Sequence, residues 1–174
     1  MIVKTGIGQD SHRFDLEPEN GGGDEEDNFL PRGTDRPLVL GGVIFEGAPP
    51  LIGNSDADAA LHALCNAVSG ITGVNVLGEI SDRMCLEKGV TDSSEYVREA
   101  MKYLTGGRIT HASFSIECAR PRITPKIEEM RNRIAKIVGI EKSCVCITAT
   151  SGEGLTDFGR GLGIQVFCVV TAIF

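Results

Sequence analysis

The C-terminal stretch IQVFCVVTAIF, residues 164–174, is the feature that most restricts how this chain folds. It is rich in β-branched and aromatic residues, which favour a β-strand. Its apolar side chains would point to both faces of that strand, because successive side chains alternate between the faces. A strand that is apolar on both faces is usually buried on both. The stretch therefore predicts a strand at the centre of a sheet or a strand that packs against another subunit.

Four other segments supply further strands. They are predicted at residues 2–9, 37–45, 108–119 and 144–150, and a glycine-rich loop over residues 152–163 separates the last of them from the C-terminal strand. The order of strands and helices predicts an α/β fold (an α+β sandwich), in which helices pack on one face of a mixed β-sheet. At 174 residues the chain is predicted to form a single domain.

Three helices are predicted from their start and stop signals. Ser55 and Asp58 match a capping box at the start of the first helix. A second helix is predicted to begin near Asp92. Thr124 is predicted to cap a third helix, which ends at Gly139.

Charge and cysteine content narrow the class of protein. The net charge is −7, and residues 15–36 carry eight acids against two bases, which predicts a mobile, solvated acidic insertion. No broad basic surface for nucleic acid is expected. No apolar run reaches the length of a membrane span, and no leader peptide is expected. The six cysteines form no C-x-x-C pair, which favours a reduced, cytoplasmic protein.

Asp10 and His12 lie two residues apart, directly after the first predicted strand, and if the strand continues through them their side chains share a face. His62 lies in the first predicted helix, four residues after Asp58, which is a candidate to orient its imidazole. Two imidazoles and one carboxylate form the open ligand set of a catalytic zinc ion. A surface turn at Asp10 and a buried structural histidine at His62 are the alternatives, and spacing alone does not show that the three residues meet.

The segment TATSGEGLTDFGRG, residues 148–161, is a candidate phosphate site. The hydroxyls of Thr150 and Ser151, with the N–H groups of the glycines, suit phosphate oxygens. Glu153 is a candidate ligand for a harder cation such as Mg²⁺. The alternative interpretation is a glycine-rich hairpin that joins the last two strands.

The segment CARPRITP, residues 118–125, joins a predicted strand to the start of a predicted helix. Anionic groups and nucleotides often bind at such a place. Arg120 and Arg122 supply charge-assisted donors. The alternative is that both arginines are simply solvated.

Taken in order, these segments resemble the 2-C-methyl-D-erythritol 2,4-cyclodiphosphate synthase family. The resemblance covers GIGQDSHRF, LGGVIF, NSDADAALHAL, DSSEYVREA, CARPRITPKIEEMR and TATSGEGLTDFGRGLGI, and only residues 15–36 look like an insertion. It implies a homotrimer with sheets lining the central axis and active sites between subunits. It also implies an enzyme of the non-mevalonate isoprenoid pathway, in which 4-diphosphocytidyl-2-C-methyl-D-erythritol 2-phosphate cyclises and releases CMP.

The resemblance also implies roles for individual residues. Zinc, or another divalent transition metal, would bind to Asp10, His12 and His62, and Glu153 would place Mg²⁺ or Mn²⁺ on the substrate diphosphate. The pocket for the cytidine diphosphate group would comprise Cys118, Ala119, Arg120, Pro121, Arg122, Ile123, Thr124, Thr150 and Ser151. Further substrate contacts would come from Ser11, Ser55, Glu79, Asp82, Gly152, Phe158 and Arg160.

The chain departs from the family pattern at three places. Asn54 replaces a frequent histidine and Ser151 replaces a usual threonine, at two positions predicted to act in catalysis. The loop over residues 76–86 is shorter than in the family, with Glu79 and Asp82 standing in for its acids. These departures leave open a non-catalytic trimer that binds metal and nucleotide. An unrelated zinc hydrolase that uses Asp58 as a general base is a third interpretation.

Overall fold

The computed structural model describes residues 1–18, 29–31 and 36–174. The strands are β1 (Val3–Arg13), β2 (Leu16–Pro18), β3 (Phe29–Pro31), β4 (Leu38–Leu40), β5 (Val43–Phe45), β6 (Arg108–Glu117), β7 (Val145–Thr150) and β8 (Gly163–Ile173). The α-helices are α1 (Ala59–Thr72), α2 (Glu79–Lys88), α3 (Ser93–Lys102) and α4 (Ile127–Val138).

The main sheet has four strands in the order β1–β8–β6–β7. Strand β8 pairs antiparallel with both β1 and β6, and β6 pairs parallel with β7, so the sheet is mixed. The prediction of a central C-terminal strand is confirmed. The hairpin interpretation of residues 148–161 is wrong, because β6 lies between β7 and β8.

The helices cover one face of this sheet. Along β8, alternate residues such as Val166 and Val170 are fully buried, while Phe167 and Val169 on the other face keep 42% and 37% of their surface exposed. On β1, Ile7 is paired with Val169 and is 67% exposed. The uncovered face of a single chain therefore carries an apolar stripe, defined here as Ile7, Phe167 and Val169.

Two glycines of β1 allow helix α1 to approach the sheet closely. A Cβ atom on Gly6 would lie 2.0 Å from the carbonyl oxygen of Ala67, and one on Gly8 would lie 2.0 Å from that of Ala63. No side chain fits in either gap, so both positions require glycine. The close packing of β1 and α1 brings their polar residues within reach of one another.

The predicted strand over residues 37–45 is a two-stranded hairpin. Gly41 and Gly42 form its turn with φ angles of +62° and +70°, which is the type I′ geometry that glycine favours. The N–H groups of this turn donate to the carboxylate of Asp58 at 2.8 and 2.6 Å. The hairpin is thereby fixed to the start of α1.

Two of the predicted helix caps are wrong. Helix α1 begins after Asp58, whose own carboxylate accepts from the N–H groups of Ala60 and Leu61, so Ser55 does not cap it. A 3₁₀ turn over Thr124–Lys126 precedes α4, and the side chain of Thr124 makes no capping bond. The other predicted signals are confirmed, since Asp92 caps α3 and Gly139 ends α4.

The segment predicted as a shortened loop, residues 76–86, largely forms helix α2. Ser81 is the one buried residue of this helix, and its hydroxyl accepts from the N–H of Gly78 at 3.0 Å. Because α2 buries so little of its surface, its sequence lacks the apolar periodicity from which a helix is normally predicted.

The predicted acidic insertion, residues 15–36, contains the short antiparallel pair β2–β3, which the prediction of a loop did not foresee. Residues 19–28 and 32–35 lie outside the described residues, so the mobility of the insertion stays a prediction. In the part of the chain that the structure describes, no helix has both the length and the apolar character needed to cross a membrane.

Candidate metal centre

Asp10, His12 and His62 come together in a compact triangle of ligand atoms. The Oδ2 atom of Asp10 lies 3.0 Å from Nε2 of His12 and 3.1 Å from Nδ1 of His62, and the two nitrogens are 3.2 Å apart. Two ligands about 2.1 Å from a tetrahedral zinc ion lie roughly 3.4 Å apart. The triangle therefore fits such an ion, and it is the one group of this kind among residues 1–18, 29–31 and 36–174.

The tautomer of His12 is fixed by the backbone. Its Nδ1 atom lies 2.7 Å from the carbonyl oxygen of Ile52, which can only accept a hydrogen bond. Nδ1 therefore carries a proton, and in the neutral ring the lone pair of Nε2 is left to point into the triangle. This is the arrangement by which a metal-binding histidine is usually oriented.

The triangle holds a charged carboxylate. Burial alone would raise the pKa of Asp10, but hydrogen bonds with His12 and His62 outweigh it and lower that pKa to about 2. Burial opposes a charge on His12, yet its hydrogen bond with Asp10 raises the pKa of the imidazole. An anionic oxygen flanked by two ring nitrogens suits a divalent cation.

Asp58 has neither of the roles that the sequence suggested. It is fully buried, and its carboxylate accepts four backbone N–H bonds, from Gly41, Gly42, Ala60 and Leu61. Because the carboxylate is fully buried and bound to the backbone, it does not face a substrate, and none of its bonds goes to the ring of His62. Asp58 is a structural carboxylate, so the hydrolase interpretation loses its general base.

A cavity of about 150 Å³ opens beside the triangle. Three predicted substrate-binding residues, Asn54, Ser55 and Asp82, line it. Ser81, Cys85 and Tyr96 also line it and were not among the predicted residues. Glu79 is not part of it: its carboxylate is exposed and forms an ion pair with Arg83 at 2.8 Å. Of the two acids that were expected to replace the loop acids of the family, the structure brings only Asp82 to the site.

Residues 51–55 are here called the Asn54 loop. Each of their five backbone carbonyl oxygens accepts a hydrogen bond from a side chain elsewhere in the chain. The guanidinium of Arg36 donates to the carbonyl oxygens of Leu51, Gly53 and Ser55. His12 binds the carbonyl of Ile52, and the thiol of Cys85 donates to that of Asn54 at 3.4 Å. These contacts join residues far apart in sequence, so no local motif could have identified Arg36.

The predicted cytidine pocket is brought together by the backbone. The N–H of Cys118 donates to the carbonyl of Thr150 at 3.1 Å, and that of Ala119 donates to the carbonyl of Phe158 at 2.9 Å. Cys118 and Ile123 have buried side chains, so a ligand would meet their backbone atoms. Burial raises the pKa of the Cys118 thiol to about 11, which keeps it neutral and unreactive. Arg120, Arg122, Thr124 and Arg160 are exposed.

A second cavity, of about 230 Å³, links the first strand to the glycine-rich loop. Ser11 and His12 line it together with Phe158. Arg160, also predicted to contact substrate, forms an exposed ion pair with Asp157 at 3.2 Å.

Glu153 lies on an exposed turn after β7. Its backbone has φ = +52° and lies between two glycines with positive φ, Gly152 and Gly154. The hydroxyl of Ser151 lies 3.3 Å from the Glu153 carboxylate, and the N–H of Gly152 donates to the hydroxyl of Thr150 at 3.2 Å. Hydroxyl and carboxylate oxygens at one turn suit a hard cation.

Glu153 and the triangle occupy different regions of a single chain. Asp10 is paired with Val166, Val166 with Ile116, and Ile116 with Ala149. Three strand spacings of about 4.8 Å separate β1 from β7 by roughly 14 Å. Among the residues that the structure describes, no hydrogen bond or ion pair joins Glu153 to Asp10, His12 or His62.

Comparison of sequences identifies close relatives. The sequence profile of the YgbB family matches residues 3–173. The chain is 44% identical over 173 residues to the 2-C-methyl-D-erythritol 2,4-cyclodiphosphate synthase of Chlamydia muridarum, which covers 99% of this chain and 89% of the relative. It is 45% identical over 171 residues to the enzyme of the same name from Chlamydia abortus, with 98% and 89% covered.

Comparison of folds finds solved structures with the same fold. The bifunctional IspDF of Campylobacter jejuni matches 98% of this chain over 42% of its own length, with a TM-score of 0.80 and 24% identity. The 2C-methyl-D-erythritol 2,4-cyclodiphosphate synthase of Plasmodium vivax has a TM-score of 0.71 and 21% identity, with 98% and 97% covered. IspF of Plasmodium falciparum, solved as a CDP complex, has a TM-score of 0.74 and 20% identity, with 98% and 96% covered. At these identities the likeness establishes the fold.

Proposed function

The chain belongs to the YgbB family, and we propose that it carries out this family's ring closure at the triangle of Asp10, His12 and His62. It is a 2-C-methyl-D-erythritol 2,4-cyclodiphosphate synthase in activity, a lyase of non-mevalonate isoprenoid synthesis. It converts 4-diphosphocytidyl-2-C-methyl-D-erythritol 2-phosphate to 2-C-methyl-D-erythritol 2,4-cyclodiphosphate and CMP. The identity of 44% over nearly the whole chain favours this catalytic interpretation over a non-catalytic binding trimer.

The triangle is the observation that carries the assignment of the site. Its donor set, two imidazole nitrogens and one carboxylate oxygen, leaves a fourth tetrahedral position open. Zinc, or another divalent transition metal, bound there would act as a Lewis acid on a phosphate oxygen. Asp10 supplies the negative charge, and the hydrogen bond between His12 and Ile52 keeps the ring of His12 in the required orientation.

The reaction needs positioning more than covalent participation by the protein. The 2-phosphate oxygen attacks the β-phosphorus, the new P–O bond closes the ring, and the P–O bond to CMP breaks with its electron pair leaving on CMP. Oriented intramolecular reactions gain roughly 7–11 kcal/mol from positioning. We infer that Asn54 and Ser55 donate hydrogen bonds to the phosphates from the Asn54 loop, since both line the cavity beside the triangle. Asn54 cannot carry a proton or a charge, so its role is to orient.

The nucleotide end of the substrate is assigned to the region around residues 118–124 and the Glu153 turn. The backbone of residues 118–124, with Thr150 and Ser151, forms the proposed cytidine pocket, supported by the two backbone bonds that join Cys118 and Ala119 to the glycine-rich loop. Glu153 would hold Mg²⁺ or Mn²⁺ at the diphosphate, because it presents an exposed carboxylate beside the hydroxyl of Ser151.

A homotrimer is proposed because one chain does not unite the two regions. The apolar stripe of Ile7, Phe167 and Val169 lies on the uncovered face of the sheet, where partner sheets would bury it around a central axis. A neighbouring subunit would then bring its Glu153 turn to the triangle. All six cysteines are free, which suits the reducing environment of the proposed cytoplasmic location.

The test is CMP release from the diphosphocytidyl substrate, with Zn²⁺ and Mg²⁺ supplied and then removed by a chelator. We expect metal-dependent CMP together with the cyclic diphosphate and no free inorganic phosphate. Release of inorganic phosphate would indicate a hydrolase. Tight substrate binding without CMP would indicate a non-catalytic trimer, and Asn54→His would then be the rescue to test.

A further inference from the structure

The ring nitrogen of His62 that faces away from the triangle lies in a buried polar cluster. Its Nε2 atom is 2.9 Å from the hydroxyl oxygen of Ser93, the first residue of α3. Ser93 is fully buried and His62 is 8% exposed, so water does not compete freely for this contact. The hydroxyl of Ser93 in turn donates to Oδ1 of Asp56, whose Oδ2 accepts from the N–H of Ser93 at 3.1 Å.

Counting protons fixes the direction of each bond. If Nδ1 of His62 binds a metal through its lone pair, the proton of the neutral ring must be on Nε2. Nε2–H then donates to Ser93, so the hydroxyl proton of Ser93 must be given to another group. Asp56, when ionised, has no proton and can only accept. With Asp56 ionised, the hydroxyl of Ser93 gives its proton to Asp56 and accepts one from Nε2, and in a neutral His62 ring this leaves the lone pair of Nδ1 for the metal.

Asp56 is itself held in place by the chain around it. Its N–H donates to the carbonyl of Thr91 at 2.9 Å, and its Oδ1 also accepts from the N–H of Asp58 at 3.2 Å. The second hydroxyl near Nε2, that of Ser55, is 3.5 Å away and already accepts from the N–H of Ala57. Ser93 is thus the main partner of the His62 ring.

We propose that Ser93 and Asp56 are positioning residues for the metal, forming a carboxylate–hydroxyl–imidazole relay that fixes the tautomer and orientation of His62. The proposal rests on the metal function of the triangle. It extends that function to α3, an element that contributes no ligand. It also assigns to Asp56, and not to Asp58, the role of the carboxylate behind the imidazole.

The proposal is tested by the affinity of the purified chain for Zn²⁺ alone, measured by competition with a chromophoric chelator. Ser93→Ala should bind zinc roughly 10–100-fold more weakly than wild type, the range seen when such outer partners are removed. Asp56→Asn should weaken binding in the same direction, because the amide keeps one acceptor where two are needed. Ser94→Ala is the matched control, since Ser94 is also fully buried on α3 but its hydroxyl contacts Arg98.

The outcomes separate the relay from the metal assignment. A wild-type chain that does not bind zinc would overturn the metal site and the relay with it. A wild-type chain that binds zinc, with Ser93→Ala equal to Ser94→Ala, would overturn the relay alone. If Ser93→Ala fails to fold, ¹⁵N NMR of the zinc-bound wild type decides the matter. A proton on Nε2 of His62, with Nδ1 bound to metal, is expected, and the opposite tautomer would refute the proposal.

Discussion

The two regions of the proposed active site are built in different ways. The triangle is held by contacts between residues far apart in the chain: His12 to Ile52, His62 to Ser93, and β1 to α1. Around Glu153 the side-chain bonds are local, such as those from Ser151 to Glu153 and from Gly152 to Thr150, and the backbone bonds from Cys118 and Ala119 fix only the flanks of this turn. Exposed segments with few long-range contacts open at low free-energy cost. The candidate metal centre is therefore the more firmly held of the two regions, and we infer that substrate, a cation or a partner subunit orders the Glu153 turn.

The largest effect is expected from removing one of the histidines of the candidate metal centre. His12→Ala or His62→Ala should abolish turnover and zinc binding while the subunits stay assembled, because either change breaks the triangle. The loss should exceed the roughly 10–100-fold typical of outer-shell partners. Metal content and CMP release measure it. His111→Ala is the control, since His111 is the third histidine and lies on β6 outside the triangle. Normal rates and full zinc in a triangle variant would refute the metal assignment.

Separating the subunits should affect the two regions unequally. Phe167→Asp places a charge in the apolar stripe and should give a smaller species in sedimentation or size-exclusion measurements. That species should still bind one zinc ion per chain, yet release almost no CMP, because the Glu153 turn of a partner is missing. Lys4→Asp, on the same strand as Ile7, provides a charge-changed control. A separated chain with normal turnover would show that the site lies within one subunit.

The exposed end should be sensitive to one carboxylate. Glu153→Gln keeps the shape of the side chain but removes its charge, so turnover should fall about 100-fold, in the range of a lost electrostatic contact to a transition state. Zinc content should not change, and excess Mg²⁺ should recover part of the rate. Glu79→Gln is the control, because Glu79 is equally exposed and only pairs with Arg83. Loss of zinc from Glu153→Gln would contradict the division into two regions.

The smallest effect is expected from the acidic insertion. Residues 19–28 contain five acids and no base, so replacing them with an Asn-Gly turn between β2 and β3 changes the net charge from −7 to −2. Solubility near neutral pH should fall, since net charge keeps proteins apart in solution. CMP release should change less than tenfold. A larger loss would show that the insertion takes part in the reaction.

Short-range patterns account for what the sequence could predict. The apolar composition of β8 limited it to the sheet centre or to a subunit contact, and the D-x-H spacing was enough to put Asp10 and His12 on one face. Helix α2 escaped prediction because Ser81 is its one buried residue and leaves no apolar period.

Long-range contacts account for what was missed. Arg36, Asp56 and Ser93 act through partners that are distant in sequence, which no spacing rule detects. Asp58 shows the reverse error. Its position four residues before His62 suggested an orienting role, but the turn of the β4–β5 hairpin takes up its carboxylate instead. Spacing along the chain thus identified the carboxylate beside His12 but not the one behind His62.

The close approach of β1 and α1 determines which substitutions evolution can accept at two positions of β1. Gly6 and Gly8 have no side-chain functional group, yet a methyl group on Gly8 would meet the carbonyl of Ala63, the residue after the candidate metal ligand His62. Adding that methyl would displace the helix and, with it, one corner of the triangle. Natural selection should therefore tolerate alanine at these two positions as poorly as it tolerates loss of a histidine. In a saturation screen that selects for activity, Gly6 and Gly8 should tolerate substitution as poorly as the three residues of the triangle.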